Sequence, residues 1–330
     1  MTRLRLPLAL AAVLVSGGVG AGIASAATPQ ACSGTATRVV SVHTVRQLHH
    51  ALAGATAGTQ VRLADGVYRG TFELRRSGTG THPIVVCGTA RAVIDAVSIT
   101  KGVGLRILDA NHVAVRGISL RHGQKALEVD GSTGTVLDHL AIHATGMEGV
   151  VIRRASSGVV LSNSRVWDTG QATAEYGEAV YIGTAKNNWC DTSPCTIDRT
   201  DGTRVVGNVL GPGVRAEEID VKEGTSNGTI SHNTFDGRGM TNANAWVDVK
   251  GNSWSVTYNT GRYSRRDGFG DNCAVVGWGN GNLFAKNIAY VYSTGYGFRV
   301  GAHTLRVRVL TNNIVWSAAS GVTNITETPA

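Results

Sequence analysis

Two short segments of the chain, Glu218–Lys222 and Trp246–Lys250, share one pattern in which aliphatic residues alternate with charged or aromatic ones. Side chains point alternately to the two faces of a β-strand, so a strand in either segment buries its aliphatic residues and exposes the others. The exposed residues are then Glu218, Asp220, Lys222, Trp246, Asp248 and Lys250. If the two strands are stacked neighbours, about 4.8 Å apart, the aspartates lie side by side and so do the lysines.

The paired lysines suggest proton-transfer chemistry. Mutual repulsion between two ammonium groups disfavours the charged form, which lowers the pKa and makes one lysine a candidate base. A β-elimination beside a carboxylate needs such a base, together with cations that stabilise the developing enolate-like charge. Lys222 and Lys250 are therefore the candidate catalytic residues. The alternative is a ladder of surface lysines that only binds anions.

The nearby carboxylates suggest a metal site. Like charges directly opposite each other on a sheet repel, and a bound cation relieves that repulsion. Ca²⁺ prefers clustered carboxylate oxygens, which Glu217, Glu218, Asp220 and Asp248 would supply, with Glu178 one repeat away. The alternative is that the neighbouring lysines already neutralise the aspartates on a solvated face.

The same face continues into the neighbouring repeats. Extending its rows of residues adds Arg153 and Tyr181 on one side and Trp278 and Arg299 on the other. Sugar rings stack on aromatic side chains, and acidic sugars pair with arginine. Together with Trp246, these four residues are the predicted substrate-binding residues.

A recurring asparagine indicates the fold that positions these residues. Seven similar segments align on one column, whose members are His139, Asn163, Asn208, Asn233, Asn259, Asn287 and Asn313. The steps are 24, 45, 25, 26, 28 and 26 residues, and the long step contains a cysteine-bearing loop. Units this short bury an apolar face only by stacking, so each strand pairs with its copies above and below. Stacked asparagines hydrogen-bond along such a ladder and tolerate the left-handed bend of a turn.

The sequence thus predicts an all-β fold, a right-handed parallel β-helix (a single-stranded solenoid). The spacing does not suit leucine-rich repeats, and a propeller needs longer units. The segment Thr44–Gln47 has the form of a capping box, which predicts a short helix covering the N-terminal end. We expect a signal peptide over residues 1–26 and a β-helix domain over 27–330, with an N-terminal cap at 40–60 and coils at about 61–325.

Charge and cysteines indicate the compartment and the kind of partner. The net charge is +8 for the whole chain and about +6 without the signal peptide, which contains Arg3 and Arg5. A secreted protein of this charge suits a polyanion, and no cluster of basic residues interleaved with aromatics favours nucleic acid. Cysteines in an exported chain form disulfides, and the spacing predicts Cys190–Cys195 and Cys32–Cys87, with Cys273 unpaired at the start of a strand. We expect a monomer with no membrane partner.

Three segments resemble a known group of proteins: VRLADGVYRGTFELRRSGTGTHPIVVCG (61–88), YGEAVYIG (176–183) and EEIDVKEGTSNGTISHNTFDG (217–237). They are similar to secreted β-helix polysaccharide lyases of the pectate-lyase-like superfamily, most clearly the alginate lyase and chondroitinase B group. The resemblance implies that Glu217 binds Ca²⁺ and that Lys222 is the base. It also implies that Lys250 takes the place of the family's arginine, while Arg215 replaces a second family glutamate.

The predicted function is a secreted lyase that cleaves a uronate-containing polysaccharide by β-elimination, with Ca²⁺ and a lysine base. A glycoside hydrolase would need Asp220 and Asp248 as its acid and base, but the adjacent lysines would keep both ionised. A non-catalytic glycan-binding β-helix is the other alternative. The segment RRDGFGD adds Asp267 and Asp271 as further candidate acidic residues.

Overall fold

The chain winds into a coil of short parallel strands. The computed structural model describes residues 31, 32, 34, 36–192 and 195–330, and the predicted signal peptide (residues 1–26) lies outside them. Within the described residues the strands form three sheets, which the chain visits in turn on every coil. Neighbouring strands of each sheet are parallel. The predicted fold class, an all-β parallel β-helix with a short N-terminal helix, is confirmed.

Each sheet runs the length of the coil. In the described part of the chain, the first sheet contains Arg38–Val42, Thr59–Leu63, Ile84–Cys87, Val113–Arg116, Val136–Asp138, Val160–Ser162, Arg204–Val206, Thr229–Ser231, Ser255–Thr257, Leu283–Ala285 and Arg308–Val309. The second contains Gly66–Arg69, Ala92–Asp95, Ser119–Arg121, Ala141–His143, Arg165–Trp167, Val209–Leu210, Thr234–Asp236, Thr260–Arg262, Ile288–Ser293 and Ile314–Ala318. The third contains Phe72–Leu74, Val103–Leu108, Lys125–Asp130, Val150–Arg153, Val180–Ile182, Ile219–Val221, Val247–Val249, Phe269–Asp271, Tyr296–Val300 and Gly321–Thr323.

The helices are short and lie outside the coil. The N-terminal helix Val45–Ala53 begins with the predicted capping box: the Gln47 backbone N–H donates to the Thr44 hydroxyl, and the Gln47 side chain accepts from the Thr44 N–H. Its Leu48 and Leu52 are buried. The α-helix Trp189–Thr192 and the 3₁₀ helices Ala174–Tyr176 and Lys186–Asn188 belong to longer connections. None of the helices in the described residues combines the length and hydrophobicity that a membrane span requires.

Aromatic side chains fill the interior of the C-terminal coils. The ring of Phe269 stacks on that of Phe298 at a centroid distance of 5.1 Å and meets Trp246 edge-on at 5.5 Å. Gly261 leaves the space that the Trp246 indole occupies, since a Cβ at that position would overlap the ring. These buried rings provide much of the apolar area that holds neighbouring coils together.

The predicted asparagine ladder is present over five coils. The Asn208 amide donates to the Asn233 carbonyl oxygen at 3.0 Å, and the same contact, also at 3.0 Å, links each later asparagine to the next. In the earlier coils the alignment was wrong by one residue. Asn208 accepts from the backbone N–H of Ser164, so Ser164 holds the ladder position and Asn163 precedes it. Asn163 and His139 instead adopt the positive φ of the adjoining turn.

The predicted disulfides are present. Cys32 is bonded to Cys87 and Cys190 to Cys195, while Cys273 is unpaired. The prediction that Cys273 begins a strand is wrong, because the strand of that coil is Phe269–Asp271.

The ladder yields a test of stability. Replacing Asn259 by Leu leaves the Ile230 carbonyl and the Asn233 N–H buried without their partner. Each such group costs about 1–3 kcal/mol, so the free energy of unfolding should fall by about 3 kcal/mol or more. Asn187→Leu is the matched control, since that side chain is exposed in the 3₁₀ helix Lys186–Asn188, outside the ladder, and a surface change costs about 0.5 kcal/mol or less. Urea unfolding measures both, and equal losses would contradict the ladder's role.

Candidate active site

The outward face of the third sheet gathers the candidate residues. Tyr181, Asp220 and Asp248 are direct neighbours in register on three successive coils. Lys222 and Lys250 follow their strands at matching positions. Behind them the inward positions of the same strands are fully buried aliphatic residues, including Val221 and Val249. Alternation within each strand therefore sends the polar side chains into a surface groove and the aliphatic ones into the core.

Asp220 lies between the two lysines. Its two carboxylate oxygens accept from Lys222 Nζ at 2.5 Å and from Lys250 Nζ at 2.6 Å. Lys250 Nζ also contacts Asp248 Oδ2 at 2.7 Å, and the Asn272 amide donates to Asp248 Oδ1 at 2.6 Å. The four charged groups thus form one continuous chain of ion pairs across two coils.

This arrangement sets the protonation of the lysines. Burial lowers the pKa of Lys222 and Lys250, but the adjacent Asp220 outweighs it and raises the pKa of both above the ordinary value. Burial also acts to raise the pKa of Asp220, and the two ammonium groups overcome it and hold that pKa low. The prediction that mutual repulsion lowers a lysine pKa is wrong, because the carboxylate between them screens that repulsion.

Tyr181 borders Lys222 in the groove. The Lys222 ammonium lies 4.9 Å from the centroid of the Tyr181 ring, and the Ala185 N–H donates to the tyrosine hydroxyl oxygen at 3.2 Å. Burial raises the pKa of Tyr181 to about 12. The phenol therefore keeps its proton at neutral pH. Because the hydroxyl oxygen accepts from the Ala185 N–H, its own hydrogen remains available for donation to another group.

An acidic cluster adjoins the lysines. Glu178, Glu217 and Asp220 each offer a carboxylate oxygen, and these oxygens lie within 4.8 Å of one another. Burial, reinforced by Asp220, raises the pKa of Glu217 to about 8 and that of Glu178 well above its ordinary value. Glu178 Oε2 is buried without a hydrogen-bond partner in the described part of the chain. Three carboxylates, one of which has a buried oxygen without a partner, are a donor set that fits Ca²⁺.

Two of the predicted residues do not reach the groove. Glu218 and Trp246 have no exposed surface, and both point into the interior of the coil. Each directly precedes a strand, Ile219–Val221 or Val247–Val249, at the bend by which the chain enters the sheet. Alternation holds only along extended backbone, so it does not extend across that bend. Burial raises the pKa of Glu218 well above its ordinary value, which makes it a neutral interior acid rather than a metal ligand.

The prediction that Trp278 lies on this face is also wrong. Trp278 lies in a connection after the strand, with the Arg199 guanidinium 5.9 Å from its ring, and not on the third sheet. The strand forms at Phe269–Asp271 because Phe269 fills the interior against Phe298. Arg299 does lie on the sheet, in the row of Asp248.

The other candidate residues take different positions. Asp271 points inward, where burial raises its pKa to about 7, and its side chain accepts from the Asn282 amide. Asp267 accepts from the Tyr296 N–H and borders the groove. Arg153 is in the groove but is held by Asp130 at 2.9 Å and Glu128 at 3.0 Å.

The groove consists of two adjoining depressions. One, of about 390 Å³, contains the lysines, Tyr181 and Arg153, and the other, of about 270 Å³, contains Arg266 and Arg299. Both are lined by Glu217, Asn242 and Asp248, so they lie next to each other along the groove. Sequence reasoning missed Asn242 and Asn272. The register of the strand Phe269–Asp271 would have revealed Asn272, whereas Asn242 belongs to a connection without periodicity.

The ion-pair chain makes a direct prediction about the lysines. In Asp220→Asn the two ammonium groups lose their shared counter-ion, so the pKa of Lys222 and that of Lys250 should both fall. Asp248→Asn is the control, because it contacts only Lys250 and should leave the pKa of Lys222 nearly unchanged. Titration of the lysine ¹³Cε resonances with a chelator present measures both values. An unchanged Lys222 pKa in Asp220→Asn would refute the arrangement.

Comparisons with known proteins are consistent with this site. Neither protein-family models nor curated protein sequences gave a match. Among solved structures, alginate lyase from Paenibacillus sp. str. FPU-7 is 29% identical, with a TM-score of 0.82 over 89% of this chain and 100% of that chain. The pectate lyase Pel9A is 14% identical, with a TM-score of 0.59 over 86% of this chain and 80% of its own.

A third similar structure is not a lyase by name. PfbA, a surface adhesin of Streptococcus pneumoniae, is 11% identical, with a TM-score of 0.54 over 86% of this chain and 76% of its own. At such identities the pectate lyase and the adhesin show a shared fold alone. The similarity to the alginate lyase covers nearly the whole chain. It confirms the two predictions made from the sequence, namely the relationship to the β-helix polysaccharide lyases and the enzyme class, polysaccharide lyase.

Proposed function

We propose that this protein cleaves a uronate-containing polysaccharide by β-elimination in the groove of the third sheet. The observation that carries the proposal is the position of Asp220 between Lys222 and Lys250, beside the protonated hydroxyl of Tyr181. A base, a cation for the substrate carboxylate and a proton donor are the three groups that this elimination requires. All three adjoin one another on neighbouring coils.

Positive charge along the groove supports an acidic substrate. Arg299 contacts no carboxylate in the described part of the chain, and it lines the C-terminal depression with Arg266. Guanidinium groups bind carboxylates through two parallel hydrogen bonds, so Arg299 suits the uronate next to the one that reacts. The similar alginate lyase acts on a uronate polymer, which favours the same substrate class for this chain.

The charged groups support a sequence of proton transfers. A uronate carboxylate entering the groove takes Lys250 as its counter-ion, which leaves Asp220 with Lys222 alone. Exclusion of water then favours the neutral form of that pair, so Asp220 takes a proton from Lys222 and leaves a free amine. The amine removes the proton from C5, beside the carboxylate, and the C4–C5 double bond forms. The C4–oxygen bond breaks as the Tyr181 hydroxyl protonates the leaving oxygen.

Glu178 and Glu217 would supply the main ligands for Ca²⁺, because Asp220, the third member of the acidic cluster, already accepts from both lysines. When bound, the ion would supply positive charge that stabilises the developing negative charge near the substrate carboxylate. Without a cation, the raised pKa values keep protons on the two glutamates, so the cluster does not carry three negative charges.

The alternatives have less support. A hydrolase would start from a protonated Asp220 or Asp248, yet before substrate binds Asp220 is held ionised by two lysines and Asp248 is paired with Lys250. A non-catalytic glycan-binding protein would need only the groove, and an adhesin has a similar fold. The product assay below distinguishes this alternative, because a binder produces no cleavage. Two disulfides support an oxidising compartment, in agreement with secretion after removal of residues 1–26.

The reaction can be tested by its product. Cleavage of a uronate polymer should produce new absorbance near the ultraviolet limit, from the C4–C5 double bond. Lys222→Ala should lose about 10²–10⁴ in turnover, the usual contribution of a positioned base, with little change in affinity. Lys286→Ala, a surface lysine outside the groove, is the control and should be fully active. Retained turnover in Lys222→Ala would remove Lys222 from the mechanism, and reducing ends without the absorbance would indicate a hydrolase.

Calcium can be tested without an activity measurement. If the acidic cluster binds the ion, CaCl₂ should raise the melting temperature of the protein, since a ligand that binds only the folded state stabilises it. Glu178→Gln should abolish that rise. Asp248→Asn should retain it, because Asp248 is not a member of the cluster. No rise in the parent protein would leave the two lysines as the cations of the site.

A further inference from the structure

A second surface of the coil carries arginine and aromatic side chains away from the groove. It is the outward side of the second sheet, called here the arginine–aromatic face. Asp236, Arg262, Tyr290 and Trp316 occupy one row of this face on four successive coils. Tyr292 and Trp316 are 53% and 58% exposed, unusually high for large aromatic residues on a sheet.

The arginines of this face are stacked on its rings. The guanidinium carbon of Arg262 lies 4.6 Å from the centroid of the Tyr290 ring. That of Arg165, on an earlier strand of the same sheet, lies 4.6 Å from the centroid of the Trp167 ring. Neither arginine has a carboxylate partner within the described residues. A guanidinium that stacks on a ring keeps the N–H groups at its edge available, so each of these arginines can still bind an anion.

The adjoining turn adds a third pair of this kind. Arg238 lies 5.2 Å from the Tyr263 ring, which stacks on Tyr292 at 5.1 Å. Here Asp236 neutralises the arginine, since it accepts from the Arg238 guanidinium at 2.5 Å. Of the three arginines stacked on rings, Arg165 and Arg262 therefore contribute unpaired positive charge, while the tyrosines contribute exposed rings and hydroxyl groups.

We propose that the arginine–aromatic face is a second, non-catalytic binding surface for an acidic polysaccharide. The choice of ligand class rests on the proposed function, whereas the surface itself does not. A linear chain lying along the coil would meet one side chain of a row about every 4.8 Å, the spacing of stacked strands. Its carboxylates would pair with the two arginines, and its sugar rings would pack on exposed aromatic surface.

Charge complementarity favours this occupant over a second copy of the chain. Symmetric pairing through this face would bring together two surfaces that each carry unpaired arginines, and like charges that face each other are unfavourable. A surface of this kind would keep the enzyme on its polymer between cleavage events. Binding at two surfaces of one protein also raises the affinity for long chains above that for short ones.

Binding to immobilised polymannuronate and polygalacturonate tests the proposal, in a Lys222→Ala background that prevents cleavage. The double variant Arg165→Ala/Arg262→Ala and, separately, Trp316→Ala should each raise the dissociation constant at least five-fold. Arg204→Ala/Arg308→Ala, which removes two exposed arginines of the first sheet, is the matched control and should stay within two-fold of the parent. With Lys222 restored, cleavage of short oligouronates should be unchanged in all variants.

Several outcomes would overturn the proposal. Affinity within two-fold of the parent in both face variants would do so, and so would tighter binding of single-stranded DNA than of either polyuronate at the same salt concentration. A change of oligomeric state on mutation, seen by sedimentation velocity, would assign the face to a second copy. If the parent cleaves no polyuronate but the face variants still lose binding, the proposed function fails and the second surface stands.

Discussion

Register between coils is the constraint on which the rest of this structure depends. In a parallel β-helix every residue lies against its counterpart in the next coil, so one position of the repeat becomes a continuous row along the molecule. The amides of Asn208 to Asn313 fix this register, because each one before Asn313 donates to the next and each accepts from a backbone N–H. A slip of one residue would exchange the inward and outward faces of every strand.

The groove shows what this register makes possible. Asp220 and Asp248 come from coils separated by 28 residues in the chain, yet they are direct neighbours in the sheet. Two lysines and a third acidic group from the preceding coil, Glu178, complete a buried charge network. Such a network costs desolvation energy that hydrophobic residues would not. A site that concentrates charge in this way is typical of catalysis rather than of stability alone.

The two outward surfaces use similar residue types differently. In the groove most cations are paired with carboxylates: Asp220 holds two lysines, and Glu128 and Asp130 hold Arg153. A substrate carboxylate must displace one of these partners, which couples binding to a change of protonation. On the second sheet Arg165 and Arg262 lie on aromatic rings instead, so an anion binds there without displacing a carboxylate. The first arrangement suits chemistry, and the second suits retention of a polymer.

The sequence by itself determined the features that depend on period and spacing. The asparagine column fixed the fold, and alternation within Ile219–Val221 and Val247–Val249 correctly paired Asp220 with Asp248. Tertiary structure decided what occurs where that period breaks. Glu218 and Trp246 point inward because the chain bends before each strand. Trp278 lies outside the sheet because the strand of its coil forms at Phe269–Asp271, where Phe269 fills the core. The lysine pKa values likewise depend on a carboxylate placed between two coils, and such a distance exists only in the folded chain.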